Sequence, residues 1–354
     1  MKSVTWSDQS EVNQAIEILL PMWNEPDTED ALELLGPSFS HPIVRSYGVN
    51  LLSRADDDEL LLYLLQLVQA LKFNSSKFYK KSHNKLFEIN IDQNLLRLLI
   101  DRSIQNPILT NQFYWYLMVE CNCKVFGKYY AKVAHLFLTK LVETSNGNDK
   151  REVLKHQAQL IENLTKIAKK LKLSKDSRPK KIENLRNILN ENKKIFNNNN
   201  NECLPLPLDA SINIKGIKSE LSSVFKSNLF PMLLYFEVDN YNNDDDNEDN
   251  NYFPVIFKEG DDLRQDQLVI QLFTLMDKLL RKENLDLKLK LFKVLATDSK
   301  AGMVQYIKNK TLSSAVNDHG SVIEYLKYNH PNHHSLFTYG IEPYVLDNFV
   351  KSCG

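Results

Sequence analysis

Apolar positions recur at three- and four-residue intervals over residues 1–196 and then change to strand-like alternation. In the first stretch Asp8 with Glu11 predicts a capping box for a helix reaching residue 20. Asp27 opens a helix over 29–35, closed by Gly36, and Pro42 suits the first turn of one reaching residue 53. Asp56, with Glu59 three residues on, caps 60–73, a segment apolar nearly all round and therefore interior. Further helical patterns cover 92–105, 109–122, 129–144, 149–172 and 178–195. Short connections and no alternation predict an α-solenoid-like stack of helices, without a strict repeat period.

Two features of this stretch resemble ligand sites and read otherwise. The run Phe113, Tyr114, Trp115, Tyr116 points around its helix, which makes it core rather than a ligand box. The basic stretch 166–194 reads as a solvated face, because Glu183 and Glu191 interleave and Leu171, Leu173, Leu185 and Leu189 form an inner stripe. Asparagines at 197–201 break the pattern, and 204–208, with Pro205 and Pro207, is stiff and extended. The expected organisation is a helical region over 1–196, a linker over 197–208 and a second region over 209–354.

The second region alternates as strands over 212–217 and 232–238, with a turn at 225–231 between them. The run 239–251 is almost wholly Asp, Asn and Glu and reads as a disordered hairpin insertion rather than a calcium loop. Next come a short strand bearing Lys258, a Gly-Asp-Asp turn and a helix over 262–284. The apolar face of that helix, Leu268, Leu272, Leu275, Met276 and Leu279, is expected to pack on the sheet. Lys258 alternates against Phe257, so its ammonium faces away from the apolar side and suits a phosphate as a point charge; taken alone, a Phe-Lys pair in a strand reads rather as a surface lysine. A strand over 287–296 and an edge strand over 302–307 follow. His330, His333 and His334 read as a solvated turn.

Composition narrows the function classes. The length of 354 residues with 43% hydrophobic content favours two cores. A net charge of −1 and a pI near 6.7 argue against a general nucleic-acid partner. Four cysteines at unsuitable spacing read as reduced thiols, not as a zinc site or disulfide framework. The longest apolar run, 60–71, is interrupted by Gln66 and Gln69 and is too short to span a bilayer, so membrane contact is expected to be peripheral.

The string Phe-Lys-x-Gly-Asp-Asp-Leu-Arg-Gln-Asp from Phe257 to Asp266 resembles the nucleotide-lysine segment of phosphatidylinositol 3-kinases. Its continuation through 275–289 resembles the class III branch, which serves vacuolar sorting and autophagy. In the first region 50–72 and Tyr114-Trp115-Tyr116 resemble the helical accessory domain of the same family. The resemblance implies a multidomain α and α+β chain: a solenoid-like accessory domain, then the small lobe of a kinase-like fold and the start of its large lobe.

It further implies a site. Lys258 would hold phosphate and Asp266 would pair with it, although spacing alone allows Asp266 to be a plain helix-start carboxylate. Phe225, Ser227 and Pro231 fall in the phosphate-covering loop, with Ser227 and main-chain N–H groups as donors. Ile256 and Val304 would sandwich adenine, and backbone groups at Gln305 and Ile307 would bond its edge. Phe292 stands where the family carries a tyrosine, leaving an apolar wall without the hydroxyl. The implied chemistry is transfer of the γ-phosphate of ATP, with magnesium, to the 3-hydroxyl of phosphatidylinositol in membranes. Implied partners are a regulatory pseudokinase-like subunit and a coiled-coil autophagy protein, on the cytoplasmic side of endosomal and autophagosomal membranes. The family's Asp-Arg-His-x-x-Asn and Asp-Phe-Gly strings do not occur in these residues, nor does its lipid-contacting C2 region. The chain is therefore expected to be truncated before the catalytic loop and inactive alone, with no metal ligand of its own. The alternative expectation is a non-catalytic scaffold that binds partners through its helices.

Overall fold

The structure is a computed structural model that describes residues 4–353 apart from 6, 24–25, 40, 80–93, 193–202, 239–250 and 333–338. The polar break at 197–201, nearly all of the acidic run, and His333 and His334 lie outside the described residues.

Several of the helices begin where a side chain satisfies their free N–H groups. Asp8 accepts from Ser10 N at 2.8 Å to start α1 (Gln9–Gln14), while Glu11 reaches back to Thr5 N at 2.7 Å instead of closing the box on Asp8. The chain continues through a π-helical turn, Ala15–Leu19, into α2 (Leu20–Met22). Then come α3 (Thr28–Leu34) and α4 (Pro42–Leu52), the latter with proline in its first turn. Asp56 caps Glu59 N at 2.7 Å and opens α5 (Asp57–Tyr79). Leu60, Leu64, Leu67, Val68 and Leu71 of α5 are buried, as the all-round apolar pattern predicts.

Next are α6 (Asn94–Gln105), α7 (Pro107–Glu120), α8 (Gly127–Val142), α9 (Gly147–Leu173) and α10 (Arg178–Glu191). Phe113, Tyr114 and Trp115 are core, with the Phe113 ring edge-on to Phe137 at 5.0 Å. The α9–α10 stripe needs two corrections. Leu173 ends α9 at 83% exposed, whereas Lys181, expected on the solvated face, is 1% exposed. A lysine tolerates that burial only with acceptors around its ammonium.

Among the described residues seven strands form one antiparallel sheet: β1 (Leu204–Leu206), β2 (Asp209–Ile217), β3 (Ser223–Val224), β4 (Met232–Val238), β5 (Tyr252–Glu259), β6 (Val294–Asp298) and β7 (Ala301–Gln305). Their order is β1-β2-β4-β5-β7-β6, and β3 pairs with β4. The stiff segment after Pro205 thus enters the sheet at one edge. The 302–307 stretch is not an edge strand; β7 lies between β5 and β6. The strand expected over 287–296 shrinks to β6. Residues before Lys293 would need partners beyond Gln305, the last residue of β7, and Lys288 has φ +54°.

Helix α11 (Arg264–Lys282) leads from β5 toward β6. It does not pack as its periodicity suggests. Gln267 is its buried residue, donated to by Ala296 N at 2.8 Å, and Gln271 bonds Gln66 and the Leu62 carbonyl of α5. The apolar stripe of Leu268, Leu272, Met276 and Leu279 is instead 40–51% exposed, with Leu275 partly buried. Helices α12 (Leu312–His319), α13 (Val322–Asn329) and α14 (Pro343–Cys353) follow.

The two regions share one interior. Phe253, Val255, Phe257, Leu295 and Met303 on one face of the sheet join the same buried cluster as the helices. Between them, Gln157 donates to Asn111 Oδ1 and to the Pro205 carbonyl, both at 2.8 Å, and accepts from Trp115 Nε1 at 3.2 Å. Asn111 donates to the Pro207 carbonyl at 2.8 Å. No disulfide forms among the described residues.

Candidate functional site

Strand alternation separates two faces at β5. Phe253, Val255 and Phe257 go to the buried side, while Ile256 and Lys258 remain half-buried on the other. Antiparallel register puts Ile256 opposite Val304 and Lys258 opposite Gly302. Ile256 and Val304 are therefore side-by-side neighbours on one face and form a single apolar wall. They cannot sandwich a ring between them, which corrects the sequence expectation.

Gly302 is required by its surroundings. A Cβ there would lie 2.4 Å from the Leu295 carbonyl oxygen and 2.8 Å from Leu263 Cδ1. Leu263, fully buried at the start of α11, fills the space beside Lys258 that a side chain on β7 would take.

The Lys258 ammonium pairs with Asp261 Oδ2 at 3.1 Å. Asp266 is not its partner here; it stands exposed on the first turn of α11. The tight Gly260 turn, with φ +91°, brings Asp261 back over the strand it has just left. The next carboxylate, Asp262, is held by Arg264 at 2.5 Å, and that bond lowers the Asp262 pKa and raises that of Arg264. Each acid of the Gly-Asp-Asp turn thus has its own cation.

The turn 225–231 joins β3 to β4, and the Met232–Phe257 pairing sets its end beside Lys258. Phe225 N donates to the Pro231 carbonyl at 2.9 Å and closes the loop at its base. Ser227 organises the tip: its Oγ accepts from Leu229 N at 3.2 Å and its carbonyl from Phe230 N at 3.1 Å. The Ser227 hydroxyl proton is not spent in that bond. Leu229 reaches Gly260, where a Cβ would meet its Cδ2 at 3.2 Å, so the loop lies over the turn after Lys258.

The far end of the site is the segment leaving β7. Gln305 N donates to the Lys293 carbonyl at 2.8 Å, and its side chain accepts from Lys293 N at 3.0 Å. The Gln305 N–H is thereby committed. The Ile307 carbonyl accepts from the Asn309 side chain at 2.6 Å. Phe292 is half-buried in the irregular stretch before β6.

Two residues escaped the sequence reading. Tyr306 places its ring 6.2 Å from Phe225 and links the 225–231 loop to the segment after β7. Asp261 is the real counter-ion of Lys258. An aromatic inside a polar linker signals the first; a carboxylate three residues after the lysine, across a glycine turn, signals the second.

Phe225, Ser227, Pro231, Ile256, Lys258 and Val304 therefore converge around one open face of the sheet, and Gln305 and Ile307 close one end. The arrangement offers a cation, a hydroxyl, backbone donors and an apolar wall, the set that holds a phosphorylated ring compound. Among the described residues no group of three or more His, Cys, Asp or Glu is placed to hold a metal ion.

Comparison with known proteins agrees across both regions. Residues 1–150 match the accessory domain (PIK domain) of the phosphoinositide 3-kinase family, and residues 252–349 match phosphatidylinositol 3- and 4-kinase. Phosphatidylinositol 3-kinase pik3 of Schizosaccharomyces pombe is 44% identical, over 100% of this chain and 42% of that protein. Phosphatidylinositol 3-kinase VPS34 of Arabidopsis thaliana is 38% identical, over 100% of this chain and 41% of that protein. The protein of the same name from Saccharomyces cerevisiae is 35% identical, over 100% of this chain and 43% of that protein. The chain thus spans about two fifths of the length of the curated relatives it matches.

Proposed function

The chain belongs to the phosphoinositide 3-kinase family, and from that premise we propose that it is the accessory region and small lobe of a class III lipid kinase. The reaction is transfer of the γ-phosphate of ATP to the 3-hydroxyl of phosphatidylinositol, giving phosphatidylinositol 3-phosphate for endosomal sorting and autophagy. On this reading 1–196 is the helical accessory domain, 197–208 the linker, and 209–354 the small lobe with the start of the large one.

The observation that carries the proposal is the placement of Lys258 beside the Ile256–Val304 wall and beneath the 225–231 loop. In the bound state Lys258 exchanges Asp261 for a phosphate oxygen, Ser227 donates its hydroxyl proton, and the wall covers one side of adenine. Ile307 N–H bonds the base edge, and Gln305 contributes its carbonyl. Phe292 lends apolar surface only. Asp266, exposed on α11, is available to approach Lys258 when Asp261 is displaced. Magnesium accompanies ATP, with ligands outside these residues.

The family's hydroxyl-orienting and Asp-Phe-Gly strings do not occur among these residues, so the 354 residues by themselves are expected not to phosphorylate lipid. Partners on this reading are membrane phosphatidylinositol, a pseudokinase-like regulatory subunit and a coiled-coil autophagy protein. No helix among the described residues is long and apolar enough to cross a membrane, which suits peripheral attachment to endosomal and autophagosomal surfaces.

The test is Lys258→Met in the full-length protein. Loss of a phosphate-holding cation in a shielded cleft should cut lipid phosphorylation by about 100-fold or more. Stability should hardly change, because the Lys258–Asp261 pair is partly exposed and worth at most about 1 kcal/mol. Undiminished turnover by the folded variant would refute the assignment of Lys258; absence of turnover in the parental full-length protein would favour a scaffold role.

A further inference from the structure

The corner between α9 and α10 carries cations into contact with both segments that frame Lys258. Lys181, 1% exposed, donates to the Leu171 carbonyl and, at 2.6 Å, to the Ser174 carbonyl. These are acceptors that the end of α9 leaves without helical partners. The same ammonium lies 4.4 Å from the centroid of the Phe230 ring, in the loop 225–231. Phe230 has φ +50°, a backbone state a phenylalanine holds only when its surroundings impose it.

The strand feeding that loop is fastened to the same helix. Arg178 Nε donates to the Val224 carbonyl at 2.7 Å, and Arg186 Nε donates to the Ser222 carbonyl at 3.0 Å. At the other segment, the Lys172 ammonium sits 3.5 Å from Glu259 and 2.6 Å from where a Cβ on Gly260 would be. A lysine serving only the α9–α10 turn has no need of a ring from a loop roughly fifty residues on. Its burial brings helix end, ammonium and loop ring into one stack.

We propose that Lys181 and Arg178 are positioning residues for the nucleotide site. The α9–α10 corner clamps the 225–231 loop through Phe230 and Val224, so the helical region sets how tightly nucleotide phosphates are held. The inference rests on the assignment of this loop and Lys258 to ATP. Its physical basis is pre-organisation: a loop already held in its covering position loses less freedom when the ligand arrives.

The test uses the full-length protein, ATP and phosphatidylinositol vesicles. Phe230→Gly keeps the left-handed backbone and removes the ring; Lys181→Met keeps length and removes charge; Arg178→Gln removes the Nε donor to Val224. Each is expected to raise KM for ATP about three- to tenfold, the worth of a partly desolvated cation–π contact or a charged hydrogen bond. The effect on kcat should be smaller, and KM for the lipid should stay the same. Lys181→Met added to Phe230→Gly should raise KM for ATP no further. Should Lys181→Met unfold, Phe230→Gly and Arg178→Gln decide the matter, because both lie at exposed or loop positions. An unchanged KM for ATP in these two folded variants overturns the proposal, as does an equal fall in kcat with additive effects. Lys258→Met is run alongside. If it stays active, the nucleotide assignment itself fails; if it is inactive while the corner variants keep the parental KM, only the clamp fails.

Discussion

Replacing Gln157 by leucine is expected to loosen the joint between helices and sheet, and the size of the effect follows from its partners. Gln157 is 1% exposed and takes part in three hydrogen bonds, to Asn111, Pro205 and Trp115. Leucine has nearly the same volume, so little cavity opens. Trp115 Nε1 and Asn111 Oδ1 lose their partner and the Pro205 carbonyl loses one donor. Orphaned buried groups cost about 1–3 kcal/mol each. The added apolar surface offsets part of this, leaving a net loss of about 3–5 kcal/mol.

The shared core predicts a single calorimetric transition for both regions. At about 2.1 cal/mol/K per residue, 354 residues unfolding together carry about 0.7 kcal/mol/K, so Tm should fall by about 4–7 °C. Scanning calorimetry measures this directly. Asn111→Leu should cost a similar amount, and the double variant less than the two combined, since both remove one network. A Tm shift below about 1 °C would show that the polar joint contributes nothing to stability, and full additivity would show that Asn111 and Gln157 do not act as one network.

Two further outcomes follow from local geometry. Gly302→Ala forces a methyl against the Leu295 carbonyl and Leu263, so it should cost about 1–3 kcal/mol and speed hydrogen exchange in β6 and β7; a parental Tm with unchanged exchange would count against the packing described. Asp57 accepts from Asn106 at 2.8 Å and from Arg102 at 2.7 Å, and these bonds, the Asn106 bond first, lower its pKa from 3.8. A carboxylate whose folded pKa is lowered stabilises above its unfolded value and loses that contribution as pH falls through the folded one. The Tm gap between the parent and Asp57→Asn should therefore be widest near neutrality and close below pH 3.8, by no more than about 1 kcal/mol for so exposed a pair; parallel profiles would exclude the contribution.

Much of the fold could be read from the sequence wherever the cause was local. Asp56 and Pro42 mark helix starts because capping and a fixed φ act within one turn. The alternation of 232–238 translated into β4 without change because neighbours on both edges complete its ladder. The failures have non-local causes. The Leu287 to Leu291 alternation suits a strand, but β7, which would have to pair with it, ends at Gln305. The stripe on α11 is real as a period; periodicity does not reveal what covers it, and here polar Gln267 and Gln271 make the contacts. At the site, Lys258 was legible from its face of the strand. Its pairing with Asp261 depends on the path of the Gly260 turn, and the burial of Lys181 depends on two carbonyls at the end of another helix.

The joint at Asn111 and Gln157 also imposes an order on biosynthesis. The carbonyls that complete these side chains belong to Pro205 and Pro207, 48 and 96 positions later in the chain. At elongation rates of about 5–20 residues per second, Asn111 leaves the ribosome roughly 5–20 s before Pro207 follows. During that interval the nascent helices carry a polar notch that only water or a chaperone can occupy. A ribosomal pause within that span would prolong this exposed state, and rapid translation would shorten it.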